Sequence, residues 1–242
     1  MQGRSQDGIR LYAEREPDWS PDNMFAVHNH WHIALFHLDR GDESRALALY
    51  DGAVRGNRPE VVLELVDASA LAWRLELLGV DLAGRWQALA DAWGRVEEEG
   101  YYAFNDLHAL MAYAGAGRRQ DVERVLAGLA RSADGGGTNA RLAREVGLPA
   151  CRAFAAFAEG DYRTAIDVLF ELRLVAARFG GSNAQRDLLD WTLAEAALRA
   201  GDAGLARGLC EARVAQKPES RRERAALARV FTPELVLPRA VA

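Results

Sequence analysis

The chain has 242 residues, a length that suits one large domain or two small ones. Half of its residues are hydrophobic, and its 45 alanines far outnumber its 3 isoleucines, 16 valines and 4 threonines. Because β-branched residues are too scarce for an extensive sheet, this composition favours packed helices. The formal net charge of −5 excludes a strong positive field for binding nucleic acid or an anionic membrane surface.

Several features of the sequence bear on the cellular compartment of the protein. The two cysteines, Cys151 and Cys210, are too few for a disulfide scaffold and match no metal-binding spacing. The first 20 residues contain no stretch that resembles a signal peptide, and no run of 18 apolar residues could span a membrane. Lys217 is the only lysine, which indicates a GC-rich, bacterial genome. We expect a soluble cytoplasmic protein with no nucleic-acid or membrane partner.

The helical domain is expected to begin near residue 20. Ser20, Pro21 and Asp22 form a helix-start signal, with a serine cap, a proline at the first helical position and an acid in the first turn. We therefore expect a loosely attached N-terminal extension over residues 1–19, a helical domain over residues 20–231 and a C-terminal tail over residues 232–242.

A short motif recurs along the chain. The pattern Gly-Asp-x-x-x-Ala begins at Gly41, Gly160 and Gly201, and each copy has another alanine seven residues before its glycine. Glycine can end one helix, and the alanine after the turn lets the next helix approach closely. Each copy therefore predicts a helix, a tight turn and a second helix.

Weaker copies at Gly79 and Gly117 complete the series, so that successive turn glycines lie 38, 38, 43 and 41 residues apart. This period is typical of helical repeat proteins. We therefore expect a right-handed α-solenoid of about five antiparallel helix pairs, similar to tetratricopeptide repeats.

Histidines cluster on the first predicted helix of this series, where residues 28–37 hold four of the five in the chain. At 100° per residue, His28 and His32 lie along one flank of the apolar stripe. An i, i+4 histidine pair can bind a metal ion from one helix, although it normally needs a third protein ligand. His108 is the candidate for that third ligand, and a metal held there could activate water for hydrolysis.

A structural role is the alternative for these histidines. Imidazoles beside a helical core often donate to carbonyls of a neighbouring helix. Asn29 and His30 follow His28, so the glutamate of a zinc-protease motif is absent. We favour structural or interaction roles and expect no cofactor, with a divalent transition metal as the other hypothesis.

Two arginines are further candidates. Arg74 follows Trp73, an expected core anchor, and a salt bridge between repeats explains this arginine as well as a ligand would. Residues 180–181 are a glycine pair before a capping box that begins at Ser182, where free N–H groups and Arg186 could bind an anion. The alternative, which we favour, is a structural cap in which Arg186 pairs with a nearby carboxylate.

Five motifs are more specific than the repeat pattern. They are His28-Asn29-His30-Trp31-His32, Asp67-Ala68-Ser69 with Trp73-Arg74-Leu75, Phe104-Asn105-Asp106-x-His108, Gly147-Leu148-Pro149, and Gly180-Gly181-Ser182-x-Ala184-Gln185-Arg186-Asp187. Together they resemble the tetratricopeptide repeat protein 38 family, in order and from about residue 10 to about residue 230. The resemblance implies a tetratricopeptide-like solenoid, matched to the C-terminal part of longer family members, and brings no settled activity.

The leading functional hypothesis is a binding or scaffold protein that recognises a peptide or a small anionic ligand on a concave face. The alternative is a metal-dependent, hydrolase-like enzyme, and a homodimer is a third expectation because an uncapped first repeat would expose apolar surface. The candidate ligand-binding residues are His28, His32, Arg74, Asn105, His108, Arg186 and Asp187.

Overall fold

The computed structural model describes residues 3–19, 23–56, 61–96 and 99–232, and this part of the chain contains helices and no strand. The all-α class predicted from the composition is confirmed. The α-helices are α1 (Ser5–Arg15), α2 (Ala26–Asp39), α3 (Glu43–Leu49), α4 (Val62–Leu77), α5 (Ala83–Val96), α6 (Ala103–Gly115), α7 (Arg119–Ala133), α8 (Gly137–Leu142), α9 (Leu148–Glu159), α10 (Tyr162–Leu172), α11 (Asn183–Arg199), α12 (Ala203–Gln216) and α13 (Arg221–Phe231).

Short segments of other helix types adjoin these α-helices. A π-helix, Tyr50–Val54, continues α3, and a second one, Ala143–Gly147, joins α8 to α9 without a loop. Two 3-10 helices, Glu16–Trp19 and Ala176–Phe179, follow α1 and precede α11.

The Gly-Asp motifs form the turns that the sequence predicts. Their glycines have φ angles of 72°, 85° and 71° at positions 41, 160 and 201, in the left-handed region that ends a helix and favours glycine. Each following aspartate accepts a backbone hydrogen bond of 3.1 Å from the residue three positions on, which caps the next helix. The predicted helix–turn–helix of these three copies is confirmed.

Helices that follow one another in the chain pack together. Contacts join α2 to α3, α4 to α5, α6 to α7, α9 to α10 and α11 to α12. The first members of these neighbouring pairs also touch, in the order α2, α4, α6, α9 and α11. The apolar residues that they bury form one continuous core, in which Trp31, Trp73, Trp86 and Trp93 are at most 2% exposed.

The end of the chain returns to its beginning. Helix α11 packs against α4, and α13 packs against α2. A stack of repeats that touched only their neighbours would leave one face open along its length. The contacts between α4 and α11 and between α2 and α13 go beyond such packing between neighbours alone.

Helix α1 belongs to this packed structure. A Cβ atom on Gly8 would lie 2.5 Å from the ring of Phe36 in α2, so the two helices approach as closely as glycine allows. The ring of Tyr12 also contacts those of His32 and Phe36, at centroid distances of 6.1 and 6.0 Å. The segment that we expected to be a loosely attached extension therefore covers part of α2.

Two of the sequence predictions lie outside the described residues. They are the helix-start signal at Ser20, Pro21 and Asp22, and nearly all of the C-terminal tail. The first helix after that signal begins at Ala26. None of the helices in the described ranges has the length and apolar character needed to cross a lipid bilayer.

Candidate ligand-binding cavity

A cavity of about 500 Å³ lies where α1, α2, α4, α11 and the last two helices meet. Its volume is within the range of about 300–1,000 Å³ that small-molecule sites occupy. Apolar and aromatic lining residues are Tyr12, Leu35, Phe36, Leu38, Ala184 and Trp191, and charged ones are Arg4, Asp39, Arg74, Asp187, Lys217 and Arg222. His32 also lines it, so the cavity brings together three of the predicted site residues, His32, Arg74 and Asp187.

Arg74 is the least exposed charged group of this wall, at 1%. Its two terminal nitrogens donate hydrogen bonds to the backbone oxygens of Ala70, at 2.9 Å, and Ala184, at 2.8 Å. The guanidinium carbon lies 5.6 Å from the ring centroid of Trp31 and 5.9 Å from that of Trp191. The salt bridge between repeats that we considered for Arg74 is therefore replaced by bonds to carbonyls and by aromatic faces.

Burial lowers the pKa of Arg74 to about 10. The carboxylate of Asp187 opposes this shift, whereas the positive charges of Arg222 and Arg213 add to it. Arg74 is still protonated at neutral pH, so a full positive charge lies at the wall of the cavity.

A buried network of three cations and three carboxylates adjoins Arg74. Arg213 contacts Glu223 at 2.9 Å and Asp187 at 3.1 Å. Lys217 contacts Asp39 at 3.5 Å and Asp187 at 3.7 Å. Arg222 contacts Asp39 at 3.1 Å and Glu223 at 2.6 Å. Burial alone would raise the pKa of Asp187, but Arg213, Lys217 and Arg222 hold it well below its usual range. Because these six charges cancel, Arg74 is the positive charge that remains.

His32 presents a neutral imidazole to the cavity. Burial, with the nearby charges of His28 and Arg74, lowers the pKa of His32 to about 4. The neighbouring His28 differs, because its Nδ1–H donates to Asp67 at 2.9 Å and this hydrogen bond raises its pKa. The centroids of the two imidazole rings are 4.7 Å apart, so His28 packs against His32, which lines the cavity.

The two predicted site residues on α6 lie elsewhere. His108 is 2% exposed, and its Nδ1–H donates to the backbone oxygen of Phe104, one turn earlier, at 2.7 Å. Burial lowers the pKa of His108 to about 4. Neither His108 nor the half-buried Asn105 lines the cavity.

The structure does not assemble the predicted metal site. His28 and His32 are neighbours, whereas His108 lies on α6 and does not line the cavity. Within the described ranges, no group of three or more His, Cys, Asp or Glu side chains could hold a metal ion.

The glycine pair before α11 forms the structural cap that we favoured. Ser182 and Gln185 make the predicted capping box, which is confirmed. Arg186 donates to the backbone oxygens of Gly180, at 3.0 Å, and Gly181, and to Oδ1 of Asn183 at 2.6 Å. Arg186 therefore bonds to its own loop, and the expectation that it pairs with a nearby carboxylate is wrong. Asp187 belongs to the buried network.

The chain matches no protein-family model and no solved structure.

Sequence reasoning missed several residues of the cavity wall. Tyr12 lies in the segment expected to be loose, and Arg222 is not among the residues that the sequence marked as candidates. Arg222 is a wall residue that is only 5% exposed. The sequence did contain a signal that could have marked Lys217 as a candidate residue, since it is the single lysine of an arginine-rich chain.

Proposed function

We propose that this protein binds a small organic anion in the cavity and that Arg74 receives the negative group. The observation that carries the proposal is a fully buried guanidinium whose hydrogen bonds go to backbone carbonyls, beside an ion-pair network that is already balanced. A buried charge without a counter-ion is costly. An anionic ligand at the wall would supply that counter-ion.

The walls suggest the rest of the ligand. Guanidinium groups bind carboxylates and phosphates with similar geometry. Around Arg74 the lining is mainly apolar, with Tyr12, Phe36 and Trp191 providing aromatic surface. The ligand class that fits is a carboxylate or phosphate on an apolar or aromatic body.

The packing favours a small molecule over a peptide. A peptide bound along a helical repeat needs an extended open face. Helix α11 closes that face where it meets α4, because Trp73 of α4 donates a hydrogen bond to Thr192 of α11 at 3.0 Å. A partly open cavity of about 500 Å³ suits a compact ligand.

We also propose that the helix pairs form a tetratricopeptide-like, right-handed solenoid related to the tetratricopeptide repeat protein 38 family. Support comes from the spacing of the turn glycines and from the packing of consecutive helices. The motifs that suggest the family contribute His32, Arg74 and Asp187 to one cavity. A cytoplasmic location is part of this proposal, because Cys151 and Cys210 are buried and are not joined in a disulfide bond.

A calorimetric titration tests the ligand class. Three acids, phenylacetate, octanoate and hexyl phosphate, are compared with their neutral counterparts phenylacetamide, octanamide and hexanol. We expect at least one acid to bind about ten-fold more tightly than its counterpart, since a charge-assisted hydrogen bond is about twice as strong as a neutral one. If no acid binds more tightly than its neutral counterpart, the proposal is wrong.

Two variants locate the binding. Leu35 lines the cavity and is half-buried, so Leu35→Trp should fill it and weaken acid binding at this site at least ten-fold. Ile33 is also half-buried on α2 but does not line the cavity, so Ile33→Trp is the matched control and should bind as the natural chain does. Equal affinity in both variants would place the acid elsewhere.

A further inference from the structure

A second cavity lies on the other side of one aromatic side chain. Its volume is about 510 Å³, and it is bounded by α11, α12, α13 and the turn after α2. Trp191 and Arg222 line both cavities, with the guanidinium carbon of Arg222 3.6 Å from the ring centroid of Trp191. This stacked pair is the partition between the two spaces.

The charges around the second cavity are not balanced. Five arginines line it, Arg40, Arg213, Arg221, Arg222 and Arg229, against three glutamates, Glu43, Glu195 and Glu223. Arg229 forms two hydrogen bonds to Glu195, each of 2.8 Å, so the charges of these two side chains offset each other. Arg40 and Arg221 make no ion pair with a described residue and leave the wall positive.

Two buried donors at this wall lack acceptors. The Nε atoms of Arg222 and Arg229 are both buried, and neither has a hydrogen-bond partner among the described residues. Buried donors in proteins are normally paired with protein or ligand acceptors. Because these two atoms are closed to solvent, a ligand in the cavity would instead meet Arg40 and Arg221, which also line it.

The remaining surface of the cavity is apolar. It is formed by Leu78, Ala194, Leu198, Ala225, Ala226 and Trp191. An inorganic anion would leave this surface uncovered, whereas an alkyl or aromatic body would cover it.

We propose that this second cavity binds an acidic small molecule with an apolar body, at a site distinct from that of Arg74. The acidic group would accept hydrogen bonds from the arginines of the wall, and its body would pack on the apolar surface of α11 and α13. The inference stands on the second cavity alone and does not depend on whether the first cavity is occupied.

The experiment uses the full chain with Leu35→Trp, so that the first cavity is blocked. Octanoate is titrated into this variant by calorimetry, with octanamide as the neutral probe. We expect octanoate to bind at one site, at least ten-fold more tightly than octanamide. Binding of the two probes with equal affinity, or no binding of octanoate, would overturn the proposal.

Further substitutions on α13 locate this site. Ala226 and Ala228 line the cavity, so Ala226→Trp should fill it and weaken octanoate binding at least ten-fold. Ala228 is exposed, so Ala228→Trp tests the same cavity without placing the larger side chain in the core. Arg224 is exposed on the same helix and does not line the cavity, so Arg224→Trp is the control and should leave affinity unchanged. An affinity that is unaffected by filling at both alanines would refute the site.

Discussion

The indole N–H of Trp73 donates a hydrogen bond of 3.0 Å to the hydroxyl of Thr192, which lies 119 residues away in the chain. Both residues are buried, Trp73 at 2% and Thr192 at 0% exposed. Thr192 in turn donates to the backbone oxygen of Leu188, within its own helix, at 2.8 Å. This bond joins α4 to α11, two helices that are distant in the chain.

Replacing that hydroxyl should destabilise the fold. Thr192→Val keeps the shape of the side chain but leaves the indole N–H of Trp73 buried without an acceptor, which costs about 1–3 kcal/mol. Urea unfolding followed by circular dichroism measures the change in the free energy of unfolding. Thr138→Val, at an exposed position of α8, is the control and should change that free energy by less than about 0.5 kcal/mol. Equal stabilities of the two variants would contradict a structural role for the bond.

The buried network should make stability depend on pH through Asp187. Its pKa in the folded protein lies below the value in the unfolded chain, because Arg213, Lys217 and Arg222 stabilise the carboxylate despite its burial. A carboxylate of this kind stabilises the fold above the unfolded pKa of about 4, and the contribution is lost as the pH falls through the folded pKa. Asp187→Asn should therefore cost about 3–5 kcal/mol at pH 7 and progressively less below pH 4.

Urea unfolding of the natural chain and of Asp187→Asn, at pH values between 7 and 3, measures this difference. Asp134→Asn is the control, since Asp134 is exposed on the surface of the chain. The free energies of unfolding of the natural chain and of Asp187→Asn should differ less at low pH. A difference that stays constant over this pH range would show that the ion pairs of Asp187 do not determine it.

Local features of this chain could be predicted because neighbouring residues determine them. The turns at Gly41, Gly160 and Gly201 and the capping box at Ser182 each depend on residues within a few positions of one another. Helical periodicity likewise placed His28 and His32 side by side, and their rings are 4.7 Å apart.

Contacts between distant segments could not be predicted in the same way. Asp39 pairs with Lys217 and Arg222 across 178 and 183 residues, and no periodic pattern marks such partners. Arg222 and Glu223 are adjacent and both buried, whereas a charged run on a helix normally indicates an exposed face. The metal hypothesis had the same weakness, because angles within two helices do not determine where His108 lies relative to His28.

The histidines should titrate at different pH values. Because Asp67 hydrogen-bonds to His28, we expect its pKa above 6.5, whereas burial should give His32 and His108 pKa values of about 4. Titration of the imidazole carbon resonances by nuclear magnetic resonance measures each value. Asp67→Asn should lower the pKa of His28, and Asp18→Asn, at an exposed aspartate, should leave it unchanged. Titration of all three near 6.5 would contradict the burial of His32 and His108.

Two helical glycines should respond in opposite ways to the same substitution. A Cβ atom on Gly115, at the end of α6, would lie 2.4 Å from the indole ring of Trp86, which is 2% exposed and has little room to move. A Cβ atom on Gly94, in α5, would meet nothing within 4 Å. Gly115→Ala should therefore lower the free energy of unfolding by about 1–3 kcal/mol through overpacking. Gly94→Ala should raise it by about 0.5–1 kcal/mol, because alanine loses less backbone entropy in a helix than glycine does.

Both free energies come from urea unfolding under identical conditions, with indole fluorescence as a second signal for the environment of the tryptophans. Because the same atoms are added at both positions, helix propensity alone would change the two stabilities in the same direction. A stabilised Gly115→Ala would contradict the close approach of α6 to Trp86 and would require looser packing of α5 on α6.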